Sequence, residues 1–425
     1  MPIPSTSDGF LALVRKSGVA DAAALDAWEL EAAGHEPETA QKTALSLIRD
    51  GILTRFQAGQ LLRGKWREFF ICEKYKLLEH LGTGGMGHVY LCDHIRLGRR
   101  VAIKFLPADK ANDQTCLARF EREARAAATV DHRNIVRAHD IDRHRHGSDV
   151  FHFLVMEYVD GSNLQYIVDK LGPLTIERAC HYIRQAADGL QHAHEVGLVH
   201  RDIKPANLLL DRSGTVKILD LGLVRFFHDD GDDLTKRLGA NSIIGTADYL
   251  APEQAVNCHA ADIRADIYSL GVTFYFLLTG RSPFKGGSLA QKLIYQRMQP
   301  PEPVRNVRPD IPDGVARIID KMLAKYPADR YQQPSELRTA LEPWTDQPIP
   351  PPPEAEMPRL SRAVRRSAPS AVATAHGARQ TVQIVQTPRP QPLSSPAIKA
   401  RPSRFRQLLG RLGGWFRRSG PANGR

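Results

Sequence analysis

Cysteine is scarce in this 425-residue chain and scattered: Cys72, Cys92, Cys116, Cys180 and Cys258 form no CxxC pair and share no Cys/His zinc spacing. An odd, dispersed set in a long chain argues against a disulfide framework or a structural zinc site and reads as reduced thiols of a cytoplasmic protein. Long apolar runs are missing too, since no stretch reaches the roughly 18 uninterrupted apolar residues a membrane-spanning helix needs. The opening MPIPSTSDGF has no basic segment leading into an apolar run, so neither a signal peptide nor a transmembrane span is expected.

Acidic residues are nearly absent from one end. From Gln347 to Arg425 there are 14 Lys and Arg, 13 of them Arg, against Glu354 and Glu356 alone, a formal +12; the whole chain carries +11, which leaves residues 1–346 at −1. That end also holds 13 of the 29 prolines and opens with PIPPPPEAE. Such a composition cannot bury enough apolar surface to offset the entropy of ordering, and residues 347–425 read as a disordered basic Pro/Arg-rich tail. Basic excess spread over a whole protein would point to nucleic acid, an anionic membrane or an acidic substrate; here it belongs to the tail.

Within the tail, RFRQLLGRLGGWFRR (residues 404–418) places Phe405, Leu408, Leu409, Leu412, Trp415 and Phe416 along one helical face, with arginines on much of the rest. This is the pattern of an amphipathic helix lying on an anionic membrane surface. Gly410, Gly413 and Gly414 each cost about 1 kcal/mol in a helix interior, so the segment is expected to be unstructured in free solution. Docking to an acidic protein or to the chain's own globular part, and a tail that stays solvated, are the alternatives. Nucleic acid is disfavoured, because no recognised binding module accompanies the arginines. A peripheral position at the inner face of a membrane is compatible with the cytoplasmic reading.

What the chain does have is a globular composition, 42% hydrophobic and 25% charged, and a length that suggests two or three units. Residues 1–70 show apolar positions at helical spacing, at Phe10, Leu11 and Val14 and again at Leu45, Leu47, Ile48, Ile52 and Leu53, interrupted by SGVAD and AGHEPET. They predict a small module of three or four helices whose apolar residues form its core; a docking surface is the competing reading. From about Lys74 to Pro343 the pattern starts β-like and becomes mainly helical.

In LGTGGMGHVY, glycines at 82, 84 and 87 stand in a G-x-G-x-x-G-x-V frame that lets the backbone approach a polyphosphate. A dinucleotide fold would need a helix straight after, but VYLCDHIRLGRRVAIKFL alternates as strand, turn, strand. Seventeen residues beyond Gly87, Lys104 lies among Val101, Ala102, Ile103 and Phe105. A lysine on a mostly buried strand is costly unless it meets an anion, either phosphate or carboxylate. CLARFEREARAAAT reads as a helix with the stripe Leu117, Phe120, Ala124 and Ala127, from which Glu121 or Glu123 could reach that lysine.

GLVHRDIKPANLLLD (197–211) sets Asp202, Lys204 and Asn207 between apolar runs, and VKILDLGLVR then ends an apolar strand at Asp220. A carboxylate and an amide oxygen suit Mg²⁺, a hard cation that shares oxygen ligands with substrate phosphates. RAHDIDRHRHGSDVFH gathers His139, His144, His146 and His152 without regular ligand spacing and reads as a solvated strand-joining loop.

Taken in order, GTGGMGHV, VAIK, HRDIKPAN, DLG and APE make the segment from about Tyr75 to Leu341 resemble a bacterial Hanks-type serine/threonine protein kinase. The resemblance implies an α+β, two-lobed fold, with a β-rich N-lobe at 74–157, a hinge at 157–161 and a mainly helical C-lobe at 162–343. It implies ATP and Mg²⁺ as cofactors, and proteins phosphorylated on Ser or Thr as partners. Leu81, Gly82, Thr83, Gly84, Gly85, Met86, Gly87, His88 and Val89 would cover the phosphates; Lys104 would pair with them, held by Glu123. Met156, Glu157, Tyr158, Val159, Ala102 and Leu209 would enclose the adenine, and Asp160 would meet the ribose. Asp202 would take the substrate proton, Lys204 would steady the moving phosphoryl group, and Asn207 and Asp220 would bind the metal. Asp266 would brace the catalytic loop and Glu253 would pair with Arg330. Arg201 before Asp202 implies an activation loop ordered by phosphorylation, at Thr235 in preference to Ser242, with a dimer as one arrangement for phosphorylation in trans. Leu221 stands where the family usually has Phe, and His228–Asp233 adds local negative charge to the loop.

Overall fold

A computed structural model describes residues 3–32, 39–84, 87–107, 111, 113–147, 149–219, 247–256, 261–284 and 286–367. The first elements are four short helices, α1 (Ser7–Ser17), α2 (Ala22–Ala32), α3 (Ala40–Arg49) and α4 (Arg55–Leu62). Threonines start three of them: Thr6, Thr39 and Thr54 each accept a backbone N–H of the first turn, satisfying a donor that helix geometry leaves without a partner. Phe10, Val14 and Leu47 are buried in the module's core as the helical spacing predicts, together with Leu25 and Leu61; Leu53 joins them from the turn between α3 and α4 rather than from a helix, and Leu45 is exposed.

The module is fastened to the sheet that follows. Strands β1 (Phe70–Ile71), β2 (Tyr75–Gly84), β3 (Gly87–His94), β4 (Arg99–Phe105), β5 (Ala138–His146) and β6 (Asp149–Glu157) form an antiparallel sheet in the order β1-β2-β3-β4-β6-β5. The β2–β3 register slips between Leu77 and Glu79, and such an irregularity breaks the ladder's hydrogen bonding locally. Helix α4 reaches this point: Thr54 Oγ1 donates to the Leu78 carbonyl at 2.5 Å and Gln57 Nε2 to the Leu77 carbonyl at 2.7 Å. The same two side chains close the capping box of α4, so one threonine both starts a helix and docks it.

Helix α5 (Gln114–Ala128) covers the sheet. Its Phe120 and Ala124 pack with Ala102, Leu154 and Met156, with Leu117 and Ala127 beside them, matching the predicted stripe. The histidine-rich segment corrects its expected reading as a loop: His139, His144 and His146 lie on β5 and His152 on β6. Register with β6 imposes the extended backbone there, and the polar side chains alternate between the two faces of a strand at the sheet's edge, where His144 accepts the Cys72 amide.

Beyond the sheet come the short strand β7 (Gly161–Asn163) and helices α6 (Leu164–Leu171) and α7 (Ile176–Glu195). Strands β8 (Leu208–Asp211) and β9 (Val216–Ile218) complete a three-stranded sheet with β7. Helix α8 (Ile263–Thr279) is buried nearly all round, as expected of a helix apolar on every face. Helices α9 (Leu289–Met298), α10 (Val304–Val307), α11 (Asp313–Met322) and α12 (Pro334–Leu341) follow it. At Gly271 a Cβ would lie 2.7 Å from that of Met322, so the close packing of α8 and α11 requires glycine there.

The expected start of the disordered tail is corrected, because residues 347–367 follow a defined path. Glu356, buried, forms a two-pronged ion pair with Arg178 of α7 at 2.5 and 2.7 Å, and Met357 enters the core beneath. Helix α13 (Arg362–Arg366) then inserts Val364 against Leu78 and Leu91 of the large sheet. Arg362 and Arg366 donate to the carbonyls of Arg49 and Asp50 in the N-terminal module. The tail's two carboxylates and a few apolar side chains order its first part despite its composition. The predicted amphipathic segment 404–418 lies outside the described residues.

Thr54→Val keeps the shape of the side chain but leaves the Leu78 carbonyl and the Gln57 amide unpaired, a cost of about 1–3 kcal/mol. The expected outcome is a lower chemical-denaturation midpoint with an unchanged far-ultraviolet circular dichroism spectrum.

Candidate active site

The loop from His200 to Asn207 is held by a dense set of hydrogen bonds. Arg201 has φ +66°, a left-handed conformation that costs a non-glycine residue energy and persists only when the surroundings hold it. They do. Asp266, fully buried in the first turn of α8, accepts the amides of His200 at 2.8 Å and Arg201 at 2.7 Å, and its Oδ2 lies 3.0 Å from His194 Nε2. Gln254 adds a bond to the Arg201 carbonyl at 3.0 Å. The brace expected of Asp266 is present; those supplied by Gln254 and His194 were not evident from the sequence, because neither belongs to a recognisable string.

His200 carries the order forward. Its Nδ1 accepts the Asp202 amide at 3.2 Å, which puts the ring proton on Nε2, and this donates to the Leu219 carbonyl at 2.7 Å. The backbone ahead of Asp220 is thereby tied to the backbone of Asp202. Asp202 is buried, with Lys204 Nζ at 2.8 and 3.0 Å from its carboxylate oxygens. Asn207 Nδ2 donates to the Asp202 carbonyl at 2.8 Å and to its Oδ2 at 3.0 Å. With its amide nitrogen so engaged, Asn207 has its oxygen left to act as a ligand. Carboxylate, ammonium and amide thus form one hydrogen-bonded group.

In the large sheet, β2 and β3 form the glycine-bearing hairpin, with Leu81, Gly82, Thr83 and Gly84 on one strand and Gly87, His88 and Val89 on the other. Gly85 and Met86 lie outside the described residues. Two glycines are present for different reasons. At Gly87, with φ +113°, a Cβ would fall 2.0 Å from the Phe105 carbonyl, so packing alone demands glycine. At Gly82 a Cβ would meet nothing within 4 Å, and the open space there suits close approach by a ligand. Thr83 Oγ1 bridges His80 Nε2 at 3.0 Å and His88 Nδ1 at 2.9 Å. Burial, and secondarily the neighbouring His80, push the His88 pKa from 6.5 down to about 4.

Lys104 is buried in β4, in register with Val89 on one side and Leu154 on the other. Ala102 faces Met156 across the next pair of strands. Glu123 lies on α5 beside Ala124, which packs on the sheet; its side chain, like Asp220 and the segment holding Thr235 and Ser242, is outside the described residues. At the end of β6, the Glu157 carboxylate meets Lys217 at 3.0 Å. Asp160 accepts Arg212 Nε on Oδ2 at 2.8 Å while its Oδ1 is buried without a hydrogen-bond partner. Leu209 lies on β8, in register with Asn163. Glu253 and Arg330 pair at 2.7 and 2.8 Å as anticipated, and all five N–H groups of the wholly buried guanidinium find acceptors.

A model of the protein kinase domain matches residues 75–341. Serine/threonine-protein kinase PknB of Mycobacterium tuberculosis is 39% identical over 271 residues, covering 64% of this chain and 43% of that protein. PrkC of Bacillus subtilis is 38% identical over 273 residues, covering 64% and 40%. The chain therefore spans about two-fifths of the length of these curated relatives. Among solved structures, a double mutant of the M. tuberculosis PknI kinase domain superposes with a TM-score of 0.51 at 25% identity, covering 65% of this chain and 96% of that one.

The lowered pKa of His88 has a consequence for stability. The unfolded chain takes up this proton near pH 6.5 and the folded chain only near pH 4, so stability present above pH 6.5 is lost as pH falls through that window. His88→Gln is expected to flatten the decline in melting temperature between pH 7 and pH 4, measured by scanning fluorimetry against the parent protein.

Proposed function

This chain belongs to the protein kinase family through a matched segment that makes up more than half of it, and from that premise we propose that it is a Mg²⁺-dependent serine/threonine protein kinase. It transfers the γ-phosphoryl group of ATP to Ser or Thr hydroxyls of other proteins, as part of signal transduction. The single observation that carries the reading is the Asp202–Lys204–Asn207 group, held in one geometry by Asp266 and His200. The names of the relatives PknB and PrkC, both serine/threonine-protein kinases, support the class of substrate.

In this mechanism Asp202 accepts the proton of the substrate hydroxyl as its oxygen attacks, and Lys204, already at its carboxylate, meets the negative charge gathering on the phosphoryl oxygens. The hairpin with Gly82 covers the polyphosphate, and Lys104, fixed at the centre of the sheet, binds it. Asn207, through its free oxygen, and Asp220 would hold the metal, whose contribution is to neutralise charge on the phosphates. Most of the rate comes from placing groups that need not move during reaction, and the order of the loop is suited to this. Arg201 supports activation-loop autophosphorylation: its Nη2 bonds to the Ala261 carbonyl at 3.2 Å, while its Nε is buried with no hydrogen-bond partner among the described residues, a donor that a phosphate oxygen would satisfy.

Incubation with labelled ATP and Mg²⁺ tests the reading. Label is expected on the chain and on a generic Ser/Thr substrate, to fall by at least about 100-fold in Asp202→Asn, and to vanish with excess chelator. Absence of label from the parent protein would instead make the chain a nucleotide-binding scaffold.

A further inference from the structure

The ion pair between Asp160 and Arg212 lies where the catalytic body meets the segment after it. Strand β7 begins directly after Asp160, and its register places Gly161 opposite Asp211, so Arg212 emerges beside Asp160. The approach is close enough that a Cβ on Gly161 would fall 2.1 Å from the Leu210 carbonyl. Arg212 then uses each nitrogen of its guanidinium in a different direction. Nε holds Asp160 Oδ2 at 2.8 Å, Nη1 reaches Glu354 Oε1 at 2.6 Å, and Nη2 donates to the Pro358 carbonyl at 2.8 Å. Two of its three anchors therefore belong to residues 354–367, the strap.

A planar fork fixed at three points has little rotational freedom left, and so has the carboxylate it holds. What this leaves is Asp160 Oδ1, shielded from solvent and without a hydrogen-bond partner among the described residues. An ionised carboxylate only accepts hydrogen bonds, so its complement is a donor carried by a ligand. On the reading of the preceding section that donor is a ribose hydroxyl of ATP. The strap is itself secured between Glu354 and Pro358 by the Glu356 ion pair to Arg178 on α7, and beyond them by Val364 against Leu78 and Leu91 of the large sheet.

We propose that Arg212 is a positioning residue for the nucleotide, and that the strap sets the affinity of the site by orienting Arg212 and, through it, Asp160. The inference rests on the kinase reading but reaches beyond it, since it connects nucleotide binding to a segment outside the matched family region. Coupling between two sites is reciprocal. A docked strap favours nucleotide, and bound nucleotide favours the docked strap.

The test uses the full chain and isothermal titration with ATP and with 2′,3′-dideoxy-ATP, which lacks both ribose hydroxyls. Arg212→Met, which keeps the stem and removes the fork, is expected to weaken ATP about 10-fold and dideoxy-ATP by less than about 2-fold, in line with typical coupling strengths. Glu354→Gln, at an exposed carboxylate, should weaken ATP by a smaller factor in the same ribose-dependent way. Hydrogen exchange of the amides in 354–367 should slow when ATP is added to the parent protein and not to Asp160→Asn. Equal loss of both nucleotides, or no loss of either, would overturn the role of Arg212 while leaving the kinase reading intact. Failure of the parent protein to bind ATP at all would overturn both.

Discussion

A buried carboxylate holds the reactive part of this molecule together. Asp266 has no solvent to stabilise its charge, and the amides of His200 and Arg201 together with the His194 ring supply that stabilisation instead. In return they fix Arg201 in a backbone conformation a free chain would rarely visit. From there the order passes through the His200 ring to Asp202 on one side and to the strand ahead of Asp220 on the other. A loop that presents a carboxylate, an ammonium and an amide at fixed distances is thus referred to the buried N-terminal turn of one rigid helix. Arg330 does similar work farther along, gathering the Glu253 carboxylate and three backbone carbonyls around one buried cation.

Much of this was legible in the sequence because it is written in short strings. HRDIKPAN carries its own spacing, and the pairing of Glu253 with Arg330 and the bracing by Asp266 follow from motifs whose partners occupy regular places. The strand pair around LGRR and the stripe of α5 came from simple periodicity. Contacts that depend on long separations in the chain were not legible. Arg212 and Glu354 are 142 residues apart and Arg178 and Glu356 are 178 apart, and nothing in a proline-rich run announces that its two acids will find those arginines. The register slip at Leu78, which determines where α4 docks, is equally silent, because it concerns backbone groups every residue possesses.

The N-terminal module and the strap solve related problems. A sheet irregularity leaves carbonyls that need donors, and α4 brings a threonine and a glutamine to them. A sheet face leaves an apolar depression at Leu78 and Leu91, and the strap brings a valine. Both additions converge on β2, and they also bond to each other, through Arg362 and Arg366 to the carbonyls at the end of α3. The two ends of the described chain are therefore held on the same strand by different chemistry, polar from one side and mainly apolar from the other.

That convergence changes what counts as a module here. The stretch that the family shares ends at Leu341, yet the cohesive body continues to Ser367 and begins well before Tyr75. A segment excised at the family borders would carry a bare valine socket, two backbone carbonyls stripped of their donors and an arginine reduced to one of its three contacts. For this chain, ancestry and cohesion draw different boundaries, and transplanting its catalytic part into another protein would mean moving the wider unit.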